Sequence, residues 1–404
     1  MLIDPSRTPG VGPLTSLSKG LAEDLRRQGY APRTISEHRR LLSDLSDWFE
    51  RRQLTAGDLS LRQVDRFLLD RRSAGAARHK TRKALGPILG YLRGLEIAPA
   101  AETPGEDNPT GEILNRYLRF LTTERGLVPV TALRYADCLR PFLESRLSAD
   151  GLELGNLTPA DVTSFVVAWC PHLNGGVAKL TVTALRSFLG FLHLDGVTER
   201  SLVRAVPTVA RHRLAGLPKG LEPDQVRRLL AACDARTPVG CRDLAILTLM
   251  VRLGLRRGEV AGLRLDDIDW RAGTISVRGK GNCHERMPLP PDVGLRLAEY
   301  LQHARPVNAR GRTAFVRCIA PHHALSASRV STIVAEAARR AALGRVHAHR
   351  LRHTAATELL RAGASLPEIG QLLRHRRAET TAIYAKVDRD NLRLIARPWP
   401  EGAR

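Results

Sequence analysis

The feature that most limits what this chain can fold into is an internal echo. Gly29-Tyr30-Ala31-Pro32-Arg33-Thr34 returns as Gly126-Leu127-Val128-Pro129-Val130-Thr131. Leu59-Ser60-Leu61-Arg62-Gln63-Val64 returns as Leu157-Thr158-Pro159-Ala160-Asp161-Val162, and Pro87-Ile88-Leu89-Gly90-Tyr91-Leu92 as Ser187-Phe188-Leu189-Gly190-Phe191-Leu192. The offset is 97 at the first pair and 100 at the last, so the register nearly holds. Helical hairpins resemble one another, yet three echoes in order favour duplication.

Inside the first copy the apolar residues follow a helical period. Leu17, Leu21 and Leu25, then Ile35, Leu41, Leu42, Leu45 and Phe49, fall near 3.6-residue spacing. Gly29 to Pro32 is a break, and Thr34 is a candidate N-cap. Leu59–Leu69 and Lys83–Leu95 read as two more helices. The chain is therefore expected to begin, after an irregular Pro- and Gly-rich stretch 1–14, with two small helical domains, roughly 15–98 and 109–205. Pro99 to Asn108, with Pro, Gly and acidic residues, suits the linker between them.

A second linker, His212 to Lys219, leads to a third region, 220–390, and a tail, 391–404. Helices are expected at Glu222–Ala232, Arg242–Leu253, Leu295–His303, Val330–Ala342, His349–Ala362 and Leu366–Leu373. Thr274–Val277 alternates as a strand, Gly279-Lys280-Gly281-Asn282 is turn material, and His284–Leu289 is a return strand. The expected fold class is mainly α: two helical bundles, then a mostly α domain with a small antiparallel sheet.

A chain of 404 residues is long enough for two or three domains. With 63 Lys and Arg against 41 Asp and Glu, its formal charge is +22. So large an excess calls for a polyanionic partner; nucleic acid comes first and an anionic membrane surface second. An arginine-rich codon bias accounts for part of the size of that excess, less for its sign. Aromatics at 4% argue against base stacking on aromatic platforms. Cys138, Cys170, Cys233, Cys241, Cys283 and Cys318 form no Cys-x-x-Cys pair, so neither a zinc site nor a dithiol motif is signalled. Scattered reduced thiols fit the cytosol. The N-terminus lacks a signal-peptide pattern. Leu244–Leu255 reads as the longest apolar stretch, and it is too short to cross a bilayer. A cytoplasmic protein without a membrane partner is expected.

The densest chemistry lies at His349–Val387. It contains His349-Arg350-Leu351-Arg352-His353, Leu372-Leu373-Arg374-His375 and Thr381-Ala382-Ile383-Tyr384. His349 and Arg352 can share a helix face. His375 and Tyr384 are nine apart, with a helix start expected at Ala378–Thr381. Such a group suits a phosphodiester held by cations while a phenol attacks it.

This stretch resembles the tyrosine recombinases, or phage integrase family, which carry a His-x-x-Arg box, a downstream His or Trp, and a tyrosine nine residues later. Gly254-Leu255-Arg256-Arg257-Gly258-Glu259-Val260 looks like the family's first arginine box. Gly279-Lys280-Gly281-Asn282 looks like its lysine hairpin. The order Arg, Lys, His-x-x-Arg, His, Tyr is complete, over about residues 220–390. Each helical repeat resembles the family's core-binding domain, although the family usually has one.

The resemblance implies a site-specific recombinase that cuts and rejoins double-stranded DNA through a 3′-phosphotyrosine. It implies no cofactor and no metal, and a tetrameric synapse of this chain or of related recombinases. Integration or transposition of a mobile element is the expected setting. The implied catalytic residues are Arg256 and Arg352 as phosphate clamps, Lys280 as acid for the leaving 5′-oxygen, and His349 as base near the phenol. His375 is implied as a donor to a non-bridging oxygen and Tyr384 as nucleophile. Arg257 is the decoy beside Arg256. Glu259 is read as orienting the arginine box, and His353 is given a packing or supporting role. Arg374 stands where the family most often has glycine, and is read either as a further phosphate contact or as idle. Arg71, Arg72, Arg78, His79, Lys80, Arg82 and Lys83, with Lys179 and Arg186 in the second copy, are candidate phosphate contacts or merely solvated. The rivals are a type IB topoisomerase and an accessory DNA-binding protein that does not cut.

Overall fold

The computed structural model describes residues 12–75, 79, 81–98, 108–148, 151–209, 220–279, 284–375 and 377–387. The linkers, the 391–404 tail, Arg78, Lys80 and Lys280 lie outside the described residues. The chain divides into two compact units, residues 1–99 with 216–404, and residues 100–215.

The first helical run is Ser18–Arg27, Pro32–Arg51, Leu61–Ser73 and Arg82–Gly94. Leu21, Leu25, Leu42, Leu45, Phe49, Phe67, Leu85, Ile88 and Leu92 close its core. Its second helix starts at Pro32 rather than at Thr34, because proline's fixed φ and missing N–H suit the first turn. The unit at 100–215 has the same succession: Pro109–Arg119, Pro129–Glu144, Pro159–Trp169 and Gly175–Leu194. Its second helix likewise opens on proline, Pro129. It also holds a two-stranded pair, Leu147–Ser148 with Gly151–Leu152, which the sequence does not announce, since two-residue strands carry no periodicity.

By length and composition Gly175–Leu194 is apolar enough to cross a membrane, and it exceeds the Leu244–Leu255 stretch. Here it is a core helix: Ala178, Val182, Leu185, Phe188, Leu189 and Leu192 are buried among Tyr117, Leu139, Phe142 and Val166.

In the region from residue 220, Pro238–Leu253 is the central helix, its residues Ala245 to Met250 almost wholly shielded. Thr237 caps its start through the Gly240 amide, and Gly254 ends it in the left-handed conformation at φ +58°. Around it stand Pro223–Ala231, Pro291–Glu299, Ala327–Arg340 and Ala348–Arg361. The sheet has three strands in the order Ile268–Asp269, Thr274–Arg278, His284–Pro288, all antiparallel. The last two match the strands expected from alternation; the first is too short to be seen that way. Arg278 pairs with His284 across the connection that carries Lys280.

Several of the candidate phosphate contacts are engaged within the fold. Arg71 pairs with Asp44 at 2.6 Å and Arg82 with Asp65. Arg186 donates to the carbonyls of Val206 and Pro207 and to Thr208, tying down the end of the second run.

Candidate active site

Arg256 follows the left-handed Gly254 and caps the short helix Arg257–Gly262. Glu259, three residues on, closes the cap from the other side: its carboxylate accepts from the Arg256 backbone N–H at 2.8 Å and from its guanidinium at 2.6 Å. Glu259 is buried while the Arg256 side chain is 41% exposed; the carboxylate holds one terminal nitrogen of the fork, and the other donates to the Arg374 carbonyl at 3.5 Å.

Arg352, on helix Ala348–Arg361, is 1% exposed and still charged. Its guanidinium donates to the Gly254 carbonyl at 2.7 Å and to the Leu373 carbonyl. Gly254 is favoured first by its backbone. A side chain there would be strained at φ +58°, and a Cβ would lie 2.6 Å from Leu373 Cδ2. Burial, then Arg256 and Arg374, pull Arg352 down to about 9, which leaves it protonated at neutral pH.

Arg256, Arg257, His347, His349 and Arg352 line one cleft of about 410 Å³, with Ser331 at its side. Arg257, the decoy, donates to Ser331 at 3.1 Å. His349 is exposed to this cleft; partial burial and the Arg352 and Arg256 charges lower its pKa, so it is neutral and able to accept a proton at pH 7. His375 lies within the field of the same two arginines. Burial, then Arg352 and Arg256, lower it to about 4. Thr381 Oγ1 stands 2.8 Å from its Nδ1 and fixes the ring.

Tyr384 is 2% exposed, packed with Ala356, Ile369 and Leu373. Burial raises its phenol to about 12, against a lowering pull from Arg352. A phenol that weakly acidic needs a partner for its proton, and one is present. His353 Nδ1 lies 2.9 Å from Tyr384 Oη. From the sequence His353 has only a packing or supporting role, and the resemblance puts His349 beside the phenol. Among the described hydrogen bonds it is His353 that meets the phenol, while the His349 ring stands edge-on to His353 with centroids 4.6 Å apart.

Arg374 is neither a free phosphate contact nor idle. Its backbone is left-handed at φ +55°, which explains why glycine suits the position. Its side chain is buried, pairs with Glu259 at 2.7 Å and touches Met287 Sδ at 3.3 Å. Burial alone pushes the Glu259 carboxyl up, but the charge of Arg374 and the hydrogen bonds from Arg256 outweigh it and hold it below its ordinary value. Met287 belongs to the strand that returns from the Lys280 connection, so that hairpin is rooted beside the site. Lys280 itself lies outside the described residues. Of the sequence-derived set, the fold thus brings together Arg256, His349, Arg352, His375 and Tyr384.

Residues 219–391 match the family model described as "Phage integrase family". "Putative integrase/recombinase y4rA" of Sinorhizobium fredii is 39% identical over 97% of this chain and 96% of its own length. "Tyrosine recombinase XerC" of Oceanobacillus iheyensis is 32% identical over 69% of this chain and 93% of its own length. Two solved structures share the fold: a lambda integrase dimer bound to a COC' core site, and the XerH site-specific recombinase bound to palindromic difH substrate. The first has a TM-score of 0.53 at 19% identity over 72% of this chain and 98% of its own. The second has a TM-score of 0.52 at 17% identity over 99% of this chain and all of its own. The ordered motifs, the cleft that Arg256, His349 and Arg352 share and these relatives agree: the chain belongs to the phage integrase family and is a tyrosine-type site-specific recombinase that cleaves and rejoins DNA.

Proposed function

We propose that Tyr384 is the nucleophile, that Arg256 and Arg352 clamp the scissile phosphate, and that His349, His375 and Lys280 complete the catalytic set. The observation that carries this reading is that Arg256, Arg352 and His349 line one cleft, that His375 lies in the field of the same two arginines, and that the buried Tyr384 phenol feels the charge of Arg352. Tyr384 Oη attacks phosphorus, its proton passing to His349 as base, and the bond to the 5′-oxygen breaks. Lys280 supplies the proton that the leaving oxygen takes. The 3′-phosphotyrosine keeps the energy of the broken ester, so no nucleotide is consumed. A 5′-hydroxyl from a partner strand reverses the step. The arginines act where negative charge grows on the non-bridging oxygens, with bidentate forks already held in place.

The two helical runs, 15–98 and 109–205, are read as duplicated DNA-gripping domains ahead of a catalytic domain at 220–390. Their matching helix order supports duplication. The chain works on double-stranded DNA in the cytoplasm as a homo-oligomer, a tetramer at synapsis. Integration or transposition of a mobile element is the favoured setting. XerC leaves about a third of this chain unmatched, while the integrase/recombinase y4rA aligns along nearly all of it.

The test is covalent trapping. Nicked duplexes spanning the ends of the DNA segment that carries the gene are mixed with the protein and run on a denaturing gel. A protein–DNA adduct that disappears in Tyr384→Phe is expected. An adduct that persists in Tyr384→Phe overturns the choice of nucleophile. Tight binding without any adduct would move the chain to an accessory role beside a cutting partner.

A further inference from the structure

The described side chains contain one contact to the attacking oxygen that the family motif does not account for. His353 lies four residues after His349 and one after Arg352 on helix Ala348–Arg361. Its Nδ1 is 2.9 Å from Tyr384 Oη. The two rings meet edge to face, with centroids 5.6 Å apart and planes at 61°. On its other side His353 is flanked by the His349 ring. We propose that His353 is the positioning residue of the nucleophile: its Nδ1 accepts the hydrogen bond of the Tyr384 phenol and fixes where Oη points before attack. This inference rests on Tyr384 being the nucleophile.

Three features make the contact more than packing. First, the phenol has little freedom of its own to exploit. It sits in a small apolar cluster of Ala356, Ile369 and Leu373, which grips the ring but offers no polar atom to its tip. A buried hydroxyl without a partner is costly, so the Nδ1 contact decides the orientation of the O–H. Second, His353 remains an acceptor. Burial, then His349 and Arg352, disfavour its cationic form, so at neutral pH it is uncharged and its lone pair is available. A cation at that position would instead donate to Oη and compete with the phosphate for the phenol's lone pair. Third, the contact spans two elements. Tyr384 is carried by the short helical segment Ala382–Val387, while His353 is fixed on the same helix as Arg352. The hydrogen bond therefore references the nucleophile to the phosphate clamp, so that Oη and the Arg352 fork hold a constant spacing. Positioning of this kind lowers the barrier by restricting the attacking atom to its line of approach.

The contact also reassigns labour among the histidines. His349 opens to the cleft where the phosphate is expected, and meets the phenol only through His353. Among the described hydrogen bonds, His353 is the one that meets the phenol.

The test uses the full chain and the nicked duplex that the wild-type protein traps from a library with a randomised core. Single-turnover adduct formation is measured for His353→Phe, His353→Asn and Tyr384→Phe, at a temperature where circular dichroism shows each variant folded. Phenylalanine keeps the ring's bulk and removes the acceptor. Asparagine places a carbonyl oxygen near the Nδ1 position. His353→Phe is expected to slow cleavage about 10- to 100-fold, the worth of one hydrogen bond to a charge-developing group, with duplex affinity unchanged. His353→Asn is expected to regain most of that loss. Wild-type rates in His353→Phe overturn the proposal, as do equal losses in the two variants, which would mean that only packing mattered. An adduct in Tyr384→Phe instead overturns the nucleophile assignment beneath it, and the two failures are distinct.

Discussion

At the scale of single residues, the site is built on a carboxylate that touches no substrate. Glu259 neutralises Arg256 on one side and the buried Arg374 on the other. Removing it leaves the Arg374 guanidinium, 4% exposed, without a counter-charge. Breaking a buried pair from one side costs roughly 3–5 kcal/mol, mostly from the stranded charge. Glu259→Gln is therefore expected to lower the urea midpoint sharply. The double variant Glu259→Gln, Arg374→Gly should recover much of the loss, because it removes the stranded charge and puts glycine at φ +55°. Simple addition of the two single losses would mean that the residues do not act as a pair.

Motif order in the sequence carries all six candidate site residues, five of them among the described residues, since a phosphate clamp tolerates few residue types. It carries less about what supports them. The glycine preference at Arg374 hints at a left-handed backbone, but nothing along the chain says that this arginine folds back onto Glu259, 115 residues earlier. The partnership of His353 and Tyr384, 31 residues apart, is hidden for the same reason: it is set by how two helical segments pack.

At the scale of elements, helix boundaries are readable where a proline or a cap fixes them. The start at Pro238, four residues ahead of the expected one, is such a case: the Thr237 cap and the proline after it set it, while the apolar period alone points to Arg242. The helix pair that holds the site also sets its response to acid. His353 and His375 are both depressed to about 4 from an ordinary 6.5. The unfolded chain therefore binds protons that the folded one refuses between about pH 6.5 and 4, and stability must fall as pH drops through that window. Glu259, held below its ordinary value, adds a further loss once pH falls below about 4.5. Thermal unfolding at pH 7.5, 6 and 5 is expected to show a falling midpoint. His353→Phe should flatten the slope by removing one of these protonation sites, with His375 and the likewise lowered His349 and His38 left in place. A midpoint independent of pH over that range would mean that these histidines are not buried in the neutral form.

At the scale of the whole molecule, the charge of +22 and the doubled helical run pose one question together. The resemblance implies one such run in a family member, and this chain has two; the first can touch DNA or touch a neighbouring protomer. Several of its arginines are engaged in internal ion pairs, Arg71 with Asp44 and Arg82 with Asp65 among them, yet Arg62, Arg66 and Lys83 remain on its exposed faces. DNA affinity is expected to fall by on the order of 10³-fold or more between about 50 and 200 mM salt, as for a protein that neutralises about six phosphates or more. If the first run grips the duplex, changing Arg62, Arg66 and Lys83 to Gln makes the plot of log affinity against log salt shallower by about 0.9 for each phosphate no longer neutralised. If the run instead meets a sister protomer, that slope is unchanged and the loss appears in the protein-concentration dependence of synapsis. The first outcome is expected, because a surface evolved to meet another copy of so basic a chain gains nothing from three more exposed cations.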